Sequence, residues 1–127
     1  MSAYAPSSPA AYQQQSILTA PPERLVVMLY DGALRFFFQA AVAMREGKRS
    51  QTDEKLRRGE AIVDHLLETL DMSAGEIASN LEGIYVFCKR LLREARMEKD
   101  ADKVEKVREL LGELRESWAQ IAGAAAA

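Results

Sequence analysis

Few side chains in this sequence could carry covalent or metal chemistry, and none has the company such chemistry needs. His65 is the single histidine, and its neighbours at helical spacing are Ala61, Glu68 and Thr69. No second imidazole or paired acid is there to complete a metal site or a nucleophile–base–acid triad. A di-iron bundle needs Glu-x-x-His motifs from two helices, which one histidine cannot supply. Cys88 is the only cysteine and falls on an apolar stripe, where cysteine serves as a small hydrophobe rather than a low-pKa nucleophile. Asp31 lacks an evident acid or base partner, and no Gly-rich phosphate loop or Gly-x-Ser-x-Gly elbow occurs. The expectation is a protein without catalytic, cofactor-binding or metal-binding residues, one that works by binding.

The elements that would position a binding surface are helical. Pro21 and Pro22 suit a first turn whose N–H groups have no partners, and Glu23 favours the positive end of the helix dipole. A long helix is expected from there to about Arg45, with Gly47 as its left-handed terminator. A second is expected from near Asp53, with Leu56, Gly59, Val63, Leu66, Leu67 and Leu70 at helical spacing, ending before Gly75. A third starts at Gly75 or Glu76 and strings Ile77, Leu81, Ile84, Tyr85, Cys88, Leu91, Leu92 and Ala95 along one stripe. The last follows Asp100, a plausible N-cap, and aligns Val104, Val107, Leu110, Leu111, Leu114, Trp118 and Ile121. Short connections and the absence of alternating strand patterns predict an all-α, antiparallel up-and-down four-helix bundle over 21–122. Residues 123–127 read as a disordered tail.

Residues 1–20 carry no charged side chain, and Pro6 and Pro9 break any early helix. They are expected to form a mobile arm that can dock as a short helical segment. The chain of 127 residues has room for one domain, and 48% hydrophobic with 28% charged residues exclude a wholly disordered chain. A net charge of −2 provides no field to hold a polyanion, so nucleic acid is not an expected partner. One cysteine rules out an internal disulfide, which fits a reducing cytoplasm. No stretch reaches about 18 uninterrupted apolar residues, so direct membrane insertion is not expected.

The first long helix is apolar on more sides than one bundle position requires. Leu25, Leu29, Gly32 and Phe36 form one stripe, and Val26, Tyr30, Ala33, Phe37, Ala40 and Met44 form a second. Val27, Leu34 and Phe38 form a third, with Asp31 set among them. Such a helix is either covered on most sides or presents apolar surface to a partner. Gly32 beside Ala33 makes a flat spot that serves tight packing within the bundle or the docking of a ligand helix.

Two stretches resemble the FliS family of flagellin export chaperones: Ala11-Tyr-Gln-Gln-Gln-Ser-Ile17 leading to Pro22-Glu-Arg-Leu-Val-Val-Met-Leu-Tyr-Asp-Gly-Ala33, and Gly75-Glu-Ile-Ala-Ser-Asn-Leu81 with Ile84-Tyr85. The likeness continues through Arg90-Leu-Leu-Arg-Glu-Ala95 to Trp118. It implies a cytoplasmic bundle that binds the C-terminal region of flagellin, prevents its premature polymerisation and delivers it to the flagellar export apparatus. It also implies that the arm, through Tyr12, Ile17 and Leu18, covers part of a vacant groove. The groove is expected at Val27, Tyr30, Asp31, Leu34 and Phe38 of the first helix and at Asn80, Leu81 and Tyr85 of the third. Pro21 stands where the family usually has a capping serine, Arg96 where an asparagine is common, and Phe36-Phe37-Phe38 is unusually aromatic. Two other readings compete: a structural bundle that homodimerises through its apolar faces or serves as a general interaction module, and a nucleic-acid-binding bundle.

Overall fold

The computed structural model describes residues 22–126. Four long helices follow one another: α1 Pro22–Arg45, α2 Arg49–Glu68, α3 Glu76–Glu98 and α4 Ala101–Ala126, with one 3-10 turn, Met72–Ala74, ahead of α3. No strand occurs among the described residues. The expected arm, with Tyr12, Ile17 and Leu18, lies outside them.

The connections follow from local chemistry. Gly47, at φ 73°, ends α1. Its N–H donates to the Met44 carbonyl, and Lys48 N–H reaches back to Ala43 at 2.9 Å, which satisfies two of the carbonyls a helix end leaves open. α2 then starts at Arg49, four residues ahead of the expected Asp53. Nothing between them breaks a helix, and Thr52 is kept inside it because its hydroxyl donates to the Lys48 carbonyl at 2.8 Å. α2 ends at Glu68, and the Asp71 side chain caps the 3-10 turn by accepting from Ser73 N–H. Between α3 and α4 only Lys99 and Asp100 intervene; Lys99 takes the left-handed conformation, and Asp100 accepts from Asp102 N–H as an N-cap does. α4 is helical as far as Ala126, the last described residue. The physical reason is its alanine content, since alanine has the highest helix propensity and only Gly123 interrupts the run.

Pairs between helices fix the register. Arg45 meets Asp102 and Asp31 meets Arg115, so α1 and α4 run antiparallel. Asp64 with Lys89 and Glu60 with Arg96 do the same for α2 and α3. α1 packs closely against both α2 and α4, α3 packs against α4 and less closely against α2, and α1 and α3 stand diagonally opposite. The bundle is therefore the up-and-down square that short loops predict.

α1 is covered on most sides. Its second stripe is the core: Tyr30, Ala33, Phe37 and Ala40 have no exposed surface, with Val26 and Met44 packed beside them. The first stripe faces α2, where Ile62 lies 3.2 Å from the position of a Cβ on Gly32, so that flat spot is occupied within the bundle. The third stripe runs along α4. α1 is long and apolar enough to cross a membrane by length and composition alone, but here its most apolar stripe is turned inward.

On α3 the inward positions are Ala78, Tyr85, Cys88, Leu92 and Ala95, whereas Ile77 is 70% exposed. The small Ala78 takes the inward place at the helix start, and Ile77, one residue earlier, is rotated about 100° away from it.

The tightest contact joins α1 to α2 at Gly59, where any Cβ would collide with the Phe37 ring. Helix propensity alone favours alanine over glycine by about 1 kcal/mol. Gly59→Ala is nevertheless expected to destabilise the fold by about 1–3 kcal/mol, because the fully buried ring cannot retreat without straining the core. Urea denaturation of the two proteins measures the sign directly.

Candidate functional site

Two tyrosines meet across the diagonal of the bundle. The hydroxyls of Tyr30 on α1 and Tyr85 on α3 are 2.5 Å apart, with the side chains 0% and 2% exposed. A buried hydroxyl must find a partner, and each supplies the other. Burial pushes both phenols above their ordinary pKa, and the hydrogen bond shared with Tyr85 adds to the effect on Tyr30. Below them Cys88 is raised by burial to about 11, so its thiol is a packed hydrophobe and not a nucleophile at neutral pH.

Next to this pair the described residues do not fill the bundle. A cavity of ≈ 280 Å³ opens at the end of the bundle that holds the 3-10 turn, walled by Val26, Leu66, Leu70, Leu81, Tyr85 and Trp118. Four helices and the segment between α2 and α3, through Leu70 and Ala74, each supply apolar atoms to it. Asp71 stands at its edge as a charged group, its carboxyl held below the usual range by the hydroxyl and N–H of Ser73.

A second surface runs along the α1/α4 seam. The Arg115 guanidinium straddles Asp31, with Nε 2.8 Å from Oδ1 and Nη2 3.3 Å from Oδ2, and Val27 and Asp31 line a shallow cleft beside it. The pair raises the Arg115 pKa, chiefly through that hydrogen bond. Further along, Phe38 is 49% exposed, with the Arg108 guanidinium 5.0 Å from its ring centre. Val42, one turn on, is also exposed.

The expected groove residues therefore separate. Val27, Asp31, Leu34 and Phe38 share the seam, with Leu34 partly buried against the core. Tyr85 and Leu81 line the end cavity, Tyr30 lies behind Tyr85 in the core, and Asn80 is exposed on a different side of α3 from its neighbour Leu81. Sequence reasoning missed Leu70, Trp118 and Val26 as cavity walls and assigned them only to the core. Their positions near helix ends were the available signal, since end residues of a core stripe have fewer neighbours to cover them. Among the described residues no cluster of His, Cys, Asp and Glu has a metal-binding arrangement.

An antiparallel bundle with a buried tyrosine pair and an open apolar end can be compared with known proteins. The family model described as "Flagellar protein FliS" matches residues 5–125. The chain belongs to the FliS family. It is 35% identical to the flagellar secretion chaperone FliS of Salmonella typhimurium, over 93% of this chain and 92% of that protein. It is also 35% identical to the FliS of Campylobacter jejuni, over 87% and 88%, and 31% identical to that of Bacillus subtilis, over 87% and 82%. The protein is thus a FliS-family flagellar secretion chaperone built as a helical bundle. Arg96 has a structural role: it joins α3 to α2 through Glu60 at 3.0 Å and Asp53 at 3.6 Å.

The tyrosine pair gives two expected outcomes. Tyr30→Phe, which strands the Tyr85 hydroxyl, should cost about 1–3 kcal/mol, while Tyr30→Phe with Tyr85→Phe should cost less than the sum of the single changes. With all three buried acids raised, the unfolded chain loses protons first as pH climbs, from the ordinary 9.0 of the thiol and 10.0 of the phenols. Stability is complete below pH 9 and falls through the alkaline range, so urea midpoints should decline steadily there and less steeply in the double Phe variant.

Proposed function

We propose that this FliS chain binds the C-terminal segment of flagellin in the cytoplasm, keeps it from pairing prematurely with other flagellins, and helps deliver it to the flagellar export apparatus. The observation that carries this reading is the unfilled apolar cavity at the bundle end, whose walls have no occupant among the described residues. Family membership makes an export substrate the natural ligand, and a flagellin terminus, which polymerises through apolar contacts, has the matching chemistry. The protein acts stoichiometrically, as a binder and not as a catalyst.

The physical logic is coupled ordering. A disordered terminus that folds onto a surface gives up conformational entropy, which extensive apolar burial has to offset. The end cavity accepts the most apolar anchors through Leu81, Leu70 and Trp118, and the α1/α4 seam around Val27 and Phe38 extends the contact. The uncharged arm, through Tyr12, Ile17 and Leu18, covers part of this surface until the segment arrives. With affinity drawn from apolar area, added salt should weaken binding little, in contrast to a nucleic-acid binder.

Calorimetric titration of the full chain with a peptide of the cognate flagellin C-terminal segment tests the reading. Saturable 1:1 binding with a negative heat-capacity change is expected, and Leu81→Glu should weaken it by about tenfold or more while leaving the helical circular dichroism intact. Flagellin secretion should fall in cells carrying that variant. A correctly folded protein that gives no heat at high micromolar peptide would refute the assignment.

A further inference from the structure

A second concave surface lies between α2 and α3 and shares no lining residue with the bundle-end cavity. It encloses ≈ 480 Å³ over a floor made by Leu67, Gly83, Val86 and Phe87. Val86 is 54% and Phe87 38% exposed, two large apolar side chains placed side by side in water. Gly83 sits in the interior of α3 with helical backbone, and nothing lies within 4 Å of where its Cβ would be. A helix-interior glycine is less stable than alanine, and here neither a turn nor a contact among the described residues accounts for it. It leaves a flat place where another backbone can approach.

The flank of this floor is cationic. Lys89, Arg90 and Arg93 line the same groove. Arg90 lies over the Phe87 ring at 5.2 Å and reaches Glu94 only at 3.9 Å. Glu94 is already engaged by Lys103 at 2.8 Å, and Arg93 has no carboxylate within ion-pair distance among the described residues. Only Lys89 is closely matched, to Asp64.

We propose that the α2/α3 groove docks an amphipathic helix from a protein partner, with its apolar stripe laid over Gly83, Val86 and Phe87 and acidic side chains along the edge facing Arg90 and Arg93. Apolar anchors supply the affinity and the charge pairing sets partner choice and orientation. The groove shares no lining residue with the end cavity proposed above for flagellin, and the inference does not depend on that reading.

The probe is a synthetic helix-forming peptide with leucines at i, i+3, i+4 and i+7 flanked by glutamates, compared with the same leucines flanked by lysines, against the full isotope-labelled chain. The glutamate peptide should shift the amide resonances of Gly83, Val86, Phe87 and Arg93 saturably and bind about tenfold tighter than the lysine peptide. Arg90→Glu with Arg93→Glu should invert that preference. Gly83→Trp, at a position open to solvent, should abolish the shifts while the thermal midpoint stays that of the parent. Equal binding of the two peptides, shifts confined to the bundle-end cavity, or indifference to either variant would overturn the proposal. So would equally tight binding of a random DNA duplex at the same residues, which would mark a general polyanion site.

Discussion

Phe37 reaches the middle of the bundle because Gly59, opposite it on α2, has no side chain. Much of the architecture is a consequence of that approach. With α1 and α2 brought together, the core stripe of α1 points at the bundle axis, and its two lateral stripes are left to α2 on one side and α4 on the other. The helix that is too apolar for a surface position is the one flanked closely on two sides. Full burial of its core stripe, Tyr30 and Phe37 above all, contributes on the order of 1.5–3 kcal/mol for each large side chain.

The diagonal helix inherits the opposite condition. α3 packs less closely against α2 than α1 does, and apart from Leu92 its core stripe is built from small or polar-tipped residues, Ala78, Tyr85, Cys88 and Ala95. The Tyr30–Tyr85 hydroxyl pair spans the diagonal that side-chain carbon alone would not close. Where that pairing ends, toward the 3-10 turn, the interior stays open as the apolar cavity. The outer side of α3 carries Ile77, Val86, Phe87 and Met97 into solvent. The bundle thus joins a rigid core to apolar surface on its partly covered helix.

Ion pairs set register more than stability. Arg45 with Asp102, Arg115 with Asp31 and Arg96 with Glu60 sit at the edges of the seams, each at least partly in water, where such pairs contribute little energy. Their positions along antiparallel helices are mutually consistent, so a slip by one turn would break several at once.

The sequence by itself determined the class of the protein and most of its elements. Four apolar stripes with helical period, Gly47 and Asp100 at their boundaries, and single His and Cys residues without partners are local facts, and local facts are legible in a string of residues. A boundary without a breaker, such as the start of α2 at Arg49, was not legible, because nothing in the sequence marks where a permissive segment begins. Tertiary structure alone decided which stripe faces which neighbour. Periodicity gives the angle between faces of one helix but carries no information on what lies opposite. Hence Tyr30 and Tyr85 turned out to be partners of each other, Val27 and Phe38 joined the α4 seam, and Trp118, which reads as core from its spacing, became the wall of an open cavity.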